Sequence, residues 1–91
     1  MHEVRNNPEK RRFEMDLPEG TAFANYIERD GVFIVTHTET PRAIRGRGFG
    51  AIFVRGMLDL ISAEKRTITP MCSFVADYMR RHPDTQELIA R

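Results

Sequence analysis

Arg45-Gly46-Arg47-Gly48-Phe49-Gly50-Ala51-Ile52-Phe53 is the stretch at which the chain changes its period. Before it, apolar residues alternate with polar ones. After it they recur every three or four positions: Phe49, Ile52, Phe53, Met57, Leu60 and Ile61 fall at helical spacing, which predicts a helix over Gly48 to Ala63. Ala51, Val54 and Leu58 widen the apolar face, as suits a helix lying across a sheet. Gly56 lowers helix propensity by about 1 kcal/mol relative to alanine and points either to close helix–sheet contact or to an ordinary packing accommodation.

Backward from this stretch the reading is of strands. Val32 to Thr38 is rich in β-branched residues, and Asp30-Gly31 before it suits a two-residue hairpin turn, whose central positions need positive φ. Thr21 to Glu28 is the partner strand, and Leu17-Pro18-Glu19-Gly20 is a second turn. Arg11 to Asp16 alternates, Phe13 and Met15 to one face, Arg12, Glu14 and Asp16 to the other. His2 to Asn6 adds an edge strand that Asn6-Asn7-Pro8 ends.

Forward, Arg66 to Thr69 is β-prone, and its distance from the strand before the helix suits a strand–helix–strand crossover with the two strands parallel. Pro70 stops it. Cys72 to Arg81 is a second helix with Phe74, Val75, Tyr78 and Met79 inward, His82-Pro83 ends it, and Asp84 caps a last turn through Leu88 and Ile89. The expected class is α/β in the α+β sense: antiparallel strands, a crossover and a C-terminal helix, with the sheet largely covered on one side.

Ninety-one residues fit one domain, 1–91. Apolar residues at 41% and charged residues at 30% describe a globular chain, and a net charge of +1 names no partner by itself. Arginine placement says more: Arg42, Arg45, Arg47 and Arg55 form one basic stretch, and Arg80 and Arg81 with His82 finish the second helix. The single cysteine, Cys72, excludes an internal disulfide and a multi-cysteine metal site. No stretch approaches the roughly eighteen apolar residues of a membrane span, and the first residues lack a signal peptide's apolar run, so a cytoplasmic location is the expectation.

Three glycines in five positions ahead of an amphipathic helix make an anion cradle. Each removes a side chain from a tight turn, so that backbone N–H groups converge, and the helix N-terminus adds donors and positive dipole. Arg45 and Arg47 can add charge-assisted bonds to phosphate oxygens, and every group of the turn donates, which suits a diphosphate. A P-loop is excluded because Gly-Lys-Ser/Thr is missing. Gly46-x-Gly48-x-x-Ala51 fits the dinucleotide fingerprint in letters only, since that fingerprint follows a first strand directly. A flexible loop with solvated arginines is the remaining alternative.

For chemistry, Cys72 starts a helix, where a thiolate gains from the dipole, although a lone cysteine is often a small buried hydrophobe. His37 and Glu39 end the strongest strand and, by two-residue alternation, share a face with Val35 and Phe33. Either could take a proton from an amine, or both could tie down the strand–loop junction; two ligands are too few for a metal. Thr36 and Thr38 fall on the opposite face. Tyr26 and Tyr78 read as core or boundary aromatics.

Arg45-x-x-Gly48-x-Gly50 resembles the acetyl-CoA diphosphate signature of the GNAT superfamily of N-acetyltransferases, Gln/Arg-x-x-Gly-x-Gly/Ala. The resemblance extends over residues 4–89. Thr36-His37-Thr38-Glu39-Thr40-Pro41, the Arg-Gly-Arg-Gly turn, and Pro70-Met71-Cys72-Ser73-Phe74 with Tyr78 and Arg81-His82-Pro83 look like its compact single-domain YjdJ-type branch, which shows His-Thr-Glu-Val-Pro, Arg-Gly-x-Gly and Pro-x-Cys-Pro-Phe. Thr40 and Ser73 depart from that pattern. The resemblance implies a small GNAT-like fold and acetyl-CoA-dependent transfer to an amine, small or a protein lysine, with no metal. It implies that Arg45, Gly46, Arg47, Gly48, Phe49 and Gly50 hold the diphosphate. Val35, Thr36 and Thr38 then line the acetyl arm within the Val35 to Glu39 segment, and Ile68 to Cys72 face it. It also implies a chemical role for Cys72, as nucleophile or proton donor, beside candidates His37 and Glu39. The branch lacks the N-terminal helices that shape an acceptor pocket in larger relatives, so an open site is implied. Two other functions compete: a CoA-binding protein without efficient transfer, and a nucleic-acid module using Arg42, Arg45, Arg47 and Arg55. The second is disfavoured because Phe49 and Phe53 belong to the helix's core stripe.

Overall fold

A computed structural model describes residues 3–91. β1 (Val4–Asn7), β2 (Arg12–Leu17), β3 (Gly20–Arg29) and β4 (Val32–Glu39) form an antiparallel meander in chain order. β5 (Thr67–Pro70) joins parallel to β4 after a crossover through α1 (Phe49–Ala63). α2 (Ser73–Arg81) and two 3-10 turns, Arg42–Ile44 and Pro83–Leu88, complete the chain. The expected order therefore holds. Asp30 and Gly31 take φ of 52° and 80°, as their hairpin requires. The opening strand begins at Val4, and His2 lies outside the described residues.

The core lies on one face of the sheet. Phe13, Tyr26 and Phe33 pack ring to ring with centroids 4.8–5.1 Å apart. Phe53, Val54, Met57, Leu58 and Ile61 from α1 and Val75 and Met79 from α2 close over them. Gly56 is a close-contact glycine, because a Cβ there would stand 2.5 Å from Val4 Cγ2 on β1. The buried stripe of α1 is narrower than its spacing suggests. Ile52 and Phe74, both expected inward, are each 47% exposed.

The other sheet face is polar. Glu14 nevertheless is only 3% exposed, because Arg5 (2.7 Å), Arg12 (2.5 Å) and Asn7 (3.1 Å) close over its carboxylate. Burial alone pushes its pKa up, yet those three partners together hold it below the ordinary carboxylate value. Arg12 also covers the Phe23 ring at 4.5 Å.

Two expected roles at the C-terminus are corrected. Asp84 does not cap the last turn, which starts from His82 without a side-chain cap. Its carboxylate takes the Arg55 guanidinium at 2.8 Å, while Arg55 Nε donates to the Tyr78 hydroxyl at 2.8 Å. Arg55 is thus a staple between α1, α2 and the C-terminal turn rather than part of a free basic stretch.

β4 holds the feature that shapes the site. Tyr26 pairs with Val35 and Asn25 with His37, so Thr36 is an extra residue, a β-bulge. Its hydroxyl donates to the Asn25 carbonyl at 3.4 Å. The bulge resets the alternation: Phe33 and Val35 face the core, and beyond Thr36 it is Thr38, opposite buried Ala24, that continues on that face. The expectation that His37 and Glu39 share a face with Val35 is overturned by this one residue.

Candidate functional site

β4 and β5 pair only from Val32↔Thr67 to Val35↔Pro70. The chain then turns away. The Val35 carbonyl, buried with its residue, accepts the N–H groups of both Met71 (2.9 Å) and Cys72 (3.1 Å), which fixes the start of α2 against β4. β4 itself continues for four more residues, Thr36 to Glu39, laddered with β3 alone. Beside this half-paired end lies a cavity of about 170 Å³ lined by Thr38, Glu39, Thr40, Arg45 and Phe74. A second, of about 450 Å³, is lined by Thr40, Arg45 and Phe74 with Ile44, Gly46, Gly48, Gly50 and Ala51. The three shared residues join the two into one groove running from the strand end to the glycine turn.

The turn is built by its own short-range bonds. Buried Ile44 anchors it, and the N–H groups of Arg45 and Arg47 are spent on the carbonyls of Arg42 (3.3 Å) and Ile44 (3.2 Å). Fewer N–H groups therefore converge than the sequence alone suggests. Gly46 and Gly48 hold φ of 82° and 84°, a conformation side chains disfavour. Gly48 is the N-cap of α1 and no side chain caps the helix, whose first-turn N–H groups lie beyond reach of intrahelical acceptors. Arg45 and Arg47 are both exposed beside it. Arg45 is steadied by Nε on the Thr40 carbonyl (3.3 Å), and Arg47 lies 6.0 Å from the Phe49 ring centroid. The turn's donors, its arginines and the adjoining cavity fit a diphosphate ligand.

Cys72 occupies the N-cap position of α2 and is partly buried. Its sulfur makes no capping hydrogen bond, but the Thr38 hydroxyl and the N–H groups of Val75, Phe74 and Thr38 favour its charged form. Burial pushes the thiol pKa up; these donors outweigh it, and the net shift is downward, toward thiolate. Thr38 Oγ1 is itself buried without a hydrogen-bond partner, and among the polar groups that lower the thiol pKa its hydroxyl is the strongest.

His37 stands apart. Its ring lies 6.4 Å from Phe23 on the polar face, and its Nε2 meets Glu39 Oε2 at 3.0 Å, both side chains about half exposed. Glu39 also lines the smaller cavity, so the pair reaches the groove at its rim. Thr36 is exposed at the bulge. Cys72, Thr38 and Val35 are thus brought together, whereas His37 is held on the other side of the strand. Phe74 and Thr40 are lining residues that sequence reasoning missed: helical spacing sends Phe74 inward, and only its position two residues after Cys72 hints otherwise. Tyr26 is core, its hydroxyl donating to Asn6 (2.6 Å), and Tyr78 stacks on His82 at 3.9 Å.

Among the described residues no three His, Cys, Asp or Glu side chains form a metal-binding group, and no helix is long and apolar enough to cross a membrane. A family model described as GCN5-related N-acetyl-transferase matches residues 12–88, from the start of β2 to the end of the last turn. No curated protein matches the chain.

Proposed function

The chain belongs to the GCN5-related N-acetyltransferase family, and from that premise we propose that it carries acetyl from acetyl-CoA to a primary amine, small or a protein lysine, by way of Cys72. The observation that carries this reading is the single groove joining the Arg45–Gly50 turn to Thr38 and Glu39 at the end of β4 and to Phe74, two residues after Cys72. Arg45, Arg47 and the first-turn donors of α1 bind the diphosphate. The segment from Val35 through Thr36 and Thr38 to Glu39 flanks the arm on one side, the start of α2 on the other.

Cys72 Sγ then attacks the thioester carbonyl carbon. The bond to the CoA sulfur breaks, CoA leaves as a thiol once protonated, and the acetyl group rests on Cys72 until the amine displaces it. Amide formation returns Cys72 as thiolate, and the amine's proton passes to a base. The donors around the sulfur, already aimed at a gathering negative charge, serve the same purpose for the carbonyl oxygen. Glu39, at the groove's rim with His37 behind it, is the base we assign to the acceptor amine.

Calorimetry with CoA tests the reading. Binding is expected, with a rise in Tm by mass action. Gly48→Val should weaken it by at least about tenfold, since a β-branched residue is strained at that φ and would stand in the open space we assign to the diphosphate. Asp59→Ala, on an exposed position of α1, should not. Equal affinities for the two variants would overturn the placement of the diphosphate.

A further inference from the structure

The last glycine of the turn has a different reason from the first two. Gly46 and Gly48 have positive φ and open space where a Cβ would stand. Gly50 is helical, and a Cβ there would lie 2.7 Å from Phe74 Cζ and 3.1 Å from Cε2. The ring of Phe74 is therefore seated on the backbone of the cofactor turn, although its residue belongs to α2. That ring is 47% exposed, an unusual degree for a phenylalanine fixed by contact with backbone. It is also a wall of both cavities, the one at the strand end and the one at the turn. Its N–H, meanwhile, faces the Cys72 sulfur.

We infer that Phe74 is a cofactor-contacting residue, the wall along which the pantetheine arm runs from the glycine turn toward Cys72, and that Gly50 lacks a side chain in order to seat that ring. The inference rests on the groove being the acetyl-CoA site. A ligand that reaches from the turn to the strand end must pass the aromatic face the two cavities share, and an apolar face left half in water gains by being covered. Phe74 then ties the two ends of the site together: seating at Gly50 fixes the ring, and the ring's own backbone faces Cys72.

The test compares CoA with 3′-phospho-ADP, which keeps the diphosphate and lacks the arm, on the full chain by calorimetry. Phe74→Ala should weaken CoA by about tenfold, the factor that covering part of one aromatic face contributes, and leave 3′-phospho-ADP unchanged. Gly50→Ala, which unseats the ring, should weaken CoA similarly, and should add nothing in the Phe74→Ala background. Phe74→Leu, closer in volume, should fall between and guards against a variant that fails to fold. Loss of both ligands together in Phe74→Ala or Phe74→Leu would mean a structural prop, and would overturn the inference while the turn still binds. Unchanged or tighter CoA binding in those variants would overturn it too. Wild-type protein that binds neither ligand would remove the groove reading and this inference with it.

Discussion

The two halves of β4 share a strand and little else. Val32 to Val35 is laddered on both sides, to β3 and to β5, with Phe33 and Val35 wholly buried. Thr36 to Glu39 is laddered to β3 alone; Thr38 and Glu39 line a groove on the other side, and the Thr38 hydroxyl favours the Cys72 thiolate. The junction is a single extra residue. A bulge of this kind twists and re-aims a strand without changing its pairing farther along, which is how one element serves first as core and then as the wall of a site. Stability belongs to the first half, and the chemistry we propose to the second.

That division can be broken most forcefully from the core side. Phe33→Ala should cost about 3–5 kcal/mol, the usual range for removing a buried aromatic side chain, and chemical denaturation would measure it. In a 91-residue domain that is a large part of total stability. A cost under about 1 kcal/mol would mean the first half is not the structural one.

Deleting Thr36 sharpens the comparison. The strand pairs on either side of the bulge can all persist without it, so the protein should still fold, within about 2 kcal/mol of wild type. The straightened strand end should lose CoA at least about tenfold. Full CoA affinity in the deletion variant would show that the bulge does not shape the groove.

The smallest effect on stability is expected from Thr38→Val, which keeps shape and removes the hydroxyl; denaturation should shift by less than about 1 kcal/mol. The effect lies in pH dependence. Alkylation of Cys72 by iodoacetamide follows the thiolate, so its rate rises with pH through the thiol pKa, half-maximal below the value of a free thiol in wild type. Without the hydroxyl the thiolate is less favoured, and the curve should move to higher pH. An unmoved curve would remove Thr38 from the account.

Much of this was legible in the residues. The period change at Arg45 to Phe53, the Asp30-Gly31 turn and the parallel return at Thr67 followed from local rules of pattern and turn geometry. The glycine turn reads as candidate anion-binding material for the same reason, whereas Cys72 becomes a candidate through the family resemblance. The bulge is not legible, because Thr-His-Thr-Glu is polar throughout and nothing in its letters marks one residue as extra; it appears only against the pairing of β3. His37 was misassigned to Val35's face for that reason alone. Arg55 read as an outward charge because its partners, Tyr78 and Asp84, lie 23 and 29 residues away in the chain. Alternation places Glu14 on the face away from Phe13 but does not show its burial, because one of the arginines that roof it, Arg5, comes from the neighbouring strand. In each case the missing information was tertiary.

The account turns on the second half of β4 delivering an acetyl group to Cys72, and mass spectrometry of the intact protein after incubation with acetyl-CoA addresses that directly. Wild type should gain about 42 Da, on Cys72, and lose it again when an amine is supplied. Cys72→Ser, nearly the same size and a far weaker nucleophile, should bind CoA and gain no adduct. Acetyl transfer to an amine that proceeds equally well in Cys72→Ser, with no adduct on wild type, would contradict the covalent route and give the attack to the amine itself.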